Sequence, residues 1–178
     1  MALEPKPGLV IRYDFLWKDE ADRGQEQGNK DRPCAIVLAT QPKPDGSRHV
    51  ILCPITHSPP SQDQSAVEVP PKVARHLGLD SDRNWIKTDQ INTVVWPKAR
   101  MPFGIAPLEN RQWTYGQLPK ALGRNVLEQV RERSQSRSLE NVRREDYEDY
   151  LQERAKAAER EERGTKGDDR DRDNDRER

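Results

Sequence analysis

The sequence predicts a mostly-β domain, in which a small barrel-like sheet is capped by one helix, followed by a charged tail. Three observations support this prediction. Residues 1–136 contain five or six short runs rich in β-branched and aromatic residues, separated by clusters of turn-forming residues. One later segment has apolar residues at helical spacing. Residues 137–178 hold 12 Lys or Arg and 15 Asp or Glu among 42 residues.

The first three predicted strands follow the turn signal Pro7-Gly8. They cover residues 9–16, the continuous apolar run 34–39, and residues 49–55, which pair back on the second strand as a hairpin. The segment 19–32 between the first two strands is polar and contains two glycines, so we predict a long mobile loop there.

The second half of the domain is predicted as shorter elements. Residues 66–69 alternate as a half-buried strand, and residues 70–77 form one or two helical turns that end at Gly78. Two more strands cover residues 85–87 and 92–96, and the stretch 101–113 is irregular. The one convincing helix follows Tyr115-Gly116, with one apolar face formed by Leu118, Leu122, Val126, Leu127 and Val130.

The tail differs in composition from the domain, and we place the boundary between domains 1–136 and 137–178. A weak apolar stripe through residues 143–162 favours a solvated helix with acid–base pairs. Residues 168–173 offer no apolar side chain to bury, so disorder is expected there. The tail has a net charge of −3 and the rest of the chain +3, which the neutral total conceals.

Several classes of protein are excluded by what the sequence lacks. It has no apolar run of about 18 residues and no apolar N-terminal segment, so neither a membrane span nor a secretory signal is expected. Cys34 and Cys53 lie in apolar runs and are predicted as buried thiols of a cytoplasmic protein. The histidines and cysteines lack the spacing of metal ligands, so no metal and no cofactor are expected.

Four side chains have the chemistry that metal-free RNA cleavage requires. The ribose 2′-OH must lose a proton, the departing 5′ oxygen must gain one, and a cation must neutralise the charge on the phosphoryl oxygens. Carboxylate, guanidinium, hydroxyl and imidazole groups are available in two segments, at Glu26, Arg32, Thr56 and His57. A possible RNA-binding surface adds Trp17 for stacking, with Lys18, Lys30 and Asp89.

Each of these residues also has a purely structural interpretation. Arg32 can pair with Asp31 or Glu26 in a surface loop, and Thr56 can satisfy a backbone group at a strand end. His57 can be a polar strand terminator, and Asp89 can cap a turn. Trp85 and Trp96 are predicted to lie in the core, whereas Trp17 is the better candidate for stacking on a base.

The order of the sequence segments that contain these residues narrows the choice of function. Four pieces in this order resemble the PemK/MazF family of type II toxins over about residues 7–133; they are Pro7-Gly8-Leu9-Val10, Arg32-Pro33-Cys34-Ala35-Ile36-Val37, Pro54-Ile55-Thr56 and Asp89-Gln90-Ile91. The resemblance implies a homodimeric SH3-like barrel that cuts single-stranded RNA and is neutralised by an antitoxin protein. It assigns Arg32 to the phosphate and Thr56 to the active site, with Glu26 near a loop carboxylate. His57 is a local chemical inference.

Other functions stay open at this stage. The related gyrase-poisoning toxins share the architecture and act by binding a protein, so a non-catalytic binding module is the alternative. A degenerate toxin with neither activity is a third possibility. The long loop at 19–31 and the tail beyond residue 137 depart from the family's compact pattern.

Overall fold

The computed structural model describes residues 3–80, 83–144, 152–161 and 163. The chain divides into one unit from Met1 to Arg144 and a second from Glu145 to Arg178. In the second unit residues 152–161 are helical, within the stretch predicted as a solvated helix. The predicted disorder at residues 168–173 lies outside the described residues.

The first unit is a sheet with three helices around it. Its strands are β1 Leu9–Tyr13, β2 Arg32–Ala39, β3 Arg48–Thr56, β4 Ala66–Val69, β5 Asn84–Lys87, β6 Gln90–Trp96, β7 Ile105–Ala106, β8 Gly116–Gln117 and β9 Glu140–Arg143. The helices are α1 Lys18–Asp22, α2 Pro71–Leu77 and α3 Lys120–Gln135. All strand pairs are antiparallel except the parallel pair of β6 and β9, so the mostly-β prediction is confirmed.

Strand β3 bends the sheet because it changes partner along its length. Its first residues pair with β6, as in Leu52↔Asn92, and its last residues pair with β5, as in Ile55↔Ile86. The main path runs β4-β5-β3-β2-β1-β7. Within residues 3–80 and 83–144 no pairing joins β4 to β7, so the sheet stays open where the sequence predicts a barrel.

Two clusters of buried side chains cover the two faces of the sheet. Alternation along β1 sends Val10 to one face and Ile11 to the other. The first cluster lies against α3 and includes Cys53, Ile55, Ile86, Val126 and Val130. The second includes Tyr13, Phe15, Cys34, Leu52 and Trp96. Both predicted core tryptophans, Trp85 and Trp96, are buried.

Both cysteines are free and buried, as the sequence predicts. Burial raises the pKa of each thiol above its ordinary value, because the thiolate is poorly solvated in an apolar core. Neither thiol is therefore a nucleophile at neutral pH.

Four elements differ from the sequence-based prediction: helix α1, strand β9, the two-residue strand β7 within the stretch predicted as irregular, and the two-residue strand β8. Helix α1 occupies the start of the segment predicted as a loop, and Glu20 is buried there because its carboxylate accepts the Trp17 N–H at 3.1 Å. Strand β9 lies beyond residue 136, where the sequence places the domain boundary, because its pairing with β6 holds it in the sheet. No helix among the described residues is long and apolar enough to cross a membrane.

Candidate active site

The register of β2 and β3 brings Arg32 and Thr56 together. Strand β2 begins at Arg32 and β3 ends at Thr56. The observed pair Cys34↔Pro54 lies two residues after Arg32 and two residues before Thr56. Continuing that antiparallel register places Arg32 opposite Thr56. Residues opposite each other project from the same face of a sheet, so both side chains lie at one corner of the domain.

Among the described residues, the guanidinium of Arg32 contacts an aromatic ring and forms no ion pair with a carboxylate. Its central carbon lies 4.8 Å from the centroid of the Trp17 ring, within the range of a cation–π contact. Its Nε is buried without a hydrogen-bond partner in the described part of the chain. Asp31, the partner that the structural interpretation assigns to Arg32, instead pairs with Arg12 at 3.5 Å. The positive charge of Arg32 is therefore available to an external anion.

A second cation, Lys87, lies on the same ring. Its Nζ is 5.7 Å from the centroid of Trp17 and 3.7 Å from Oδ1 of Asp89, and its side chain is only 8% exposed. Continuing the register Thr56↔Trp85 places Lys87 opposite Pro54, on the face that carries Arg32 and Thr56. Lys87 is not among the candidate site residues predicted from the sequence. Its position two residues from Trp85 in a short strand was the available signal.

Asp89, predicted as an RNA-binding residue, is buried at 7% exposed. Its Oδ1 accepts no hydrogen bond in the described part of the chain and faces the Lys87 ammonium. A buried carboxylate is costly unless it is paired, so Asp89 holds Lys87 in place beside Trp17. The structural position of Asp89 therefore favours a supporting role over direct contact with RNA.

Thr56 and His57 occupy the end of β3. Thr56 is half-buried, and its Oγ1 accepts the backbone N–H of Ser58 at 3.2 Å, which is the structural role considered from the sequence. Accepting that bond leaves the hydroxyl proton free to be donated to a ligand. The adjacent His57 is exposed. Both side chains are thus accessible to a ligand at the end of β3.

The remaining predicted residues lie on the segment from residue 18 to residue 30. Glu26 and Lys30 have exposed side chains, and Lys18 is half-buried with its Nζ in an ion pair with Asp22. No hydrogen bond or ion pair joins these three side chains to Arg32 or Thr56 within the described residues. Their place in a shared site stays a prediction.

The loop that carries Glu26 is docked against the end of β1. A Cβ added to Gly28 would lie 2.2 Å from the carbonyl oxygen of Phe15, which is backbone and cannot swing away. Real side chains essentially never approach so closely, so Gly28 allows the loop to sit directly on the Phe15 peptide. The loop position depends on this contact.

Replacing Gly28 with Ala is expected to lift the loop and lower the free energy of unfolding by about 1–3 kcal/mol, the usual cost of overpacking. Urea unfolding followed by tryptophan fluorescence measures this change. Gly123→Ala is the matched control, because nothing lies within 4 Å of an added Cβ in helix α3. That variant should be neutral or slightly stabilising. Equal stability of Gly28→Ala and the wild type would contradict the docking of the loop.

The chain matches one family model, described as PemK-like, MazF-like toxin of type II toxin-antitoxin system, over residues 11–133. No curated protein and no solved structure matches the chain. The matched region includes Trp17, Arg32, Thr56 and Lys87, and it ends within α3, before β9.

Proposed function

We propose that this chain, which belongs to the family of PemK-like, MazF-like toxins of type II toxin-antitoxin systems, cleaves single-stranded RNA without a metal ion. Members of the family are generally endoribonucleases. The observation that carries the proposal for this chain is the Arg32 guanidinium, which lies on the Trp17 ring at the sheet position opposite Thr56 and forms no ion pair with a carboxylate of the described residues. We infer that the curved sheet with α3 corresponds to the family's SH3-like barrel and closing amphipathic helix.

In the proposed reaction the ribose 2′ oxygen attacks the adjacent phosphorus, and the bond from phosphorus to the 5′ oxygen breaks. Arg32 stabilises the negative charge that grows on the phosphoryl oxygens, since its planar fork matches two of them at once. The hydroxyl of Thr56 donates to one of the same oxygens. The products carry a 2′,3′-cyclic phosphate and a 5′-OH.

Two protons have to move in this reaction. One leaves the attacking 2′-OH and one joins the departing 5′ oxygen. His57 is exposed and adjacent to Thr56, and Glu26 is an exposed carboxylate on the loop that leads into β2. We propose that these two groups share the transfers, and that Trp17, Lys18 and Lys30 line the path of the strand.

The direct test is incubation of purified protein with end-labelled single-stranded RNA in excess EDTA. We expect discrete fragments with 2′,3′-cyclic phosphate and 5′-OH ends, which phosphatase and kinase treatment distinguishes from other ends. Intact RNA, together with growth arrest when the protein is expressed, would instead favour a toxin that acts by binding a protein.

Thr56→Ala tests the hydroxyl separately. Removing one donor to the developing charge is expected to lower kcat by about 100-fold. Thr56→Ser keeps the hydroxyl and should retain most of the activity. Equal rates for the Ala and Ser variants would exclude Thr56 from the chemistry.

The type II family also implies a protein antitoxin. We propose that it covers the corner formed by Arg32, Thr56 and Trp17, and that the active species in the cytoplasm is a homodimer. Sedimentation of the free protein measures the dimer. Coexpression with the product of a small adjacent reading frame, followed by the RNA assay, measures neutralisation.

A further inference from the structure

An arginine outside the family-matched region is buried beside the loop that carries Glu26. Arg144 follows β9 directly and is only 2% exposed. The match to the family ends at residue 133, so the family pattern does not account for this side chain. A buried guanidinium is costly unless it is paired and hydrogen-bonded, and Nη1 and Nη2 of Arg144 are both bonded in this way.

Within the described residues, Arg144 donates hydrogen bonds to three separate parts of the chain. Its Nη1 donates to the backbone oxygen of Asp14 at 2.9 Å and to Oδ1 of Asn92 at 3.3 Å. Its Nη2 donates to Oδ1 of Asp14 at 3.1 Å and to the backbone oxygen of Glu26 at 3.3 Å. One side chain therefore connects the end of β1, strand β6 and the Glu26 loop.

The same hydrogen-bond network extends to the segment that holds Trp17 in the candidate active site. Asn92 accepts the backbone N–H of Leu16 at 3.0 Å and donates to the backbone oxygen of Leu16 at 2.8 Å. Leu16 is followed by Trp17, whose ring carries Arg32. Arg144 thus contacts the backbone of Glu26 directly and is connected to the backbone before Trp17 through Asn92.

We propose that Arg144 is a positioning residue, which holds the Glu26 loop and the Trp17 segment from the end of β9, beyond the residues matched to the family. This inference rests on the proposed RNA cleavage for its functional consequence. Arg144 does not contact the phosphate. It acts through the backbone of Glu26 and through Asn92. Its loss should therefore displace the Glu26 loop, although the Arg32 guanidinium is still present.

The experiment compares Arg144→Ala with Arg143→Ala in the full chain. Arg143 precedes Arg144 in sequence and carries the same charge, but it is exposed. Hydrogen exchange measures the amides of residues 24–31 and those of β2 and β3, and RNA cleavage gives kcat and KM. Arg144→Ala should speed exchange of the loop amides at least about tenfold, with core amides still protected. It should lower kcat on the order of tenfold to 100-fold, as misplacement of a catalytic group does.

A second variant addresses unfolding, since Arg144→Ala leaves Asp14 without its charged partner. The double variant Asp14→Asn/Arg144→Met removes both charges together. If it folds, as circular dichroism reports, the positioning role predicts fast loop exchange and low kcat there as well. Loop exchange and kcat equal to those of Arg143→Ala, in either variant, would overturn the proposal. If the wild type does not cleave RNA, the proposed function fails, and loop exchange alone still decides the positioning role.

Discussion

Replacing Arg32 with Ala is expected to abolish RNA cleavage while the protein stays folded. The guanidinium is the group proposed to neutralise the phosphoryl charge, and losing such a group costs about 1,000-fold in rate. The fold does not depend on it, because the contact of this side chain within the described residues is the stack on Trp17. A cation–π contact contributes only about 0.5–2 kcal/mol.

The measurement is the initial rate on a single-stranded RNA at saturating concentration, with urea unfolding run in parallel. Arg12→Ala is the matched control: Arg12 lies on the neighbouring strand, pairs with Asp31 and belongs to the opposite face of the sheet from Arg32. Arg32→Lys keeps the charge but loses the planar fork, so an intermediate rate is expected. Cleavage by Arg32→Ala at the wild-type rate would refute the mechanism.

Replacing Asn92 with Ala is expected to give the largest loss of stability, about 3–5 kcal/mol in the free energy of unfolding. Asn92 is fully buried and forms two hydrogen bonds with the Leu16 backbone and one with Arg144. Its removal leaves a backbone N–H and a backbone C=O without partners, away from water. Each such group costs about 1–3 kcal/mol.

Asn141→Ala is the control for this prediction. Asn141 lies on β9, is exposed, and accepts one hydrogen bond from Thr93 at 2.9 Å. Its loss should change the free energy of unfolding by less than about 1 kcal/mol. Urea titrations of both variants provide the comparison, and similar midpoints for the two would show that the buried amide network contributes little.

Most of the strands follow from local patterns in the sequence. The apolar run in β2, the alternation in β4 and the turn residues between them identify these elements without any knowledge of their partners. Helix α1 was not predicted because it is short and rich in charged residues. Its buried acid, Glu20, is stabilised by a hydrogen bond from the Trp17 backbone, which the sequence does not reveal. β9 was not predicted because its sequence is polar and it stays exposed at the sheet edge.

The candidate site was predicted in part. Arg32 and Thr56 were identified by their context, and the register of β2 and β3 places them on one face. The roles of Lys87, Asp89 and Arg144 were not predicted. Lys87 lies against the indole ring of Trp17, and Arg144 binds the backbone oxygen of Glu26 and the carboxylate of Asp14. These contacts depend on the fold and cannot be read from the spacing of the residues in the sequence.

By itself the sequence determined the positions of strands β1 to β6, the buried cysteines and the family, because hydrophobic periodicity and short motifs are properties of neighbouring residues. Tertiary structure alone decided which charges are neutralised. The pairing of β1 with β2 brings Arg12 to Asp31, and the pairing of β9 with β6 brings Arg144 to Asp14. Lys87 and Asp89 are close in the chain, but their position against Trp17 depends on the pairing of β5 with β3. In the part of the chain that the structure describes, Arg32 contacts Trp17 and no carboxylate, because charge pairing depends on distance in space and a local sequence pattern does not encode that distance.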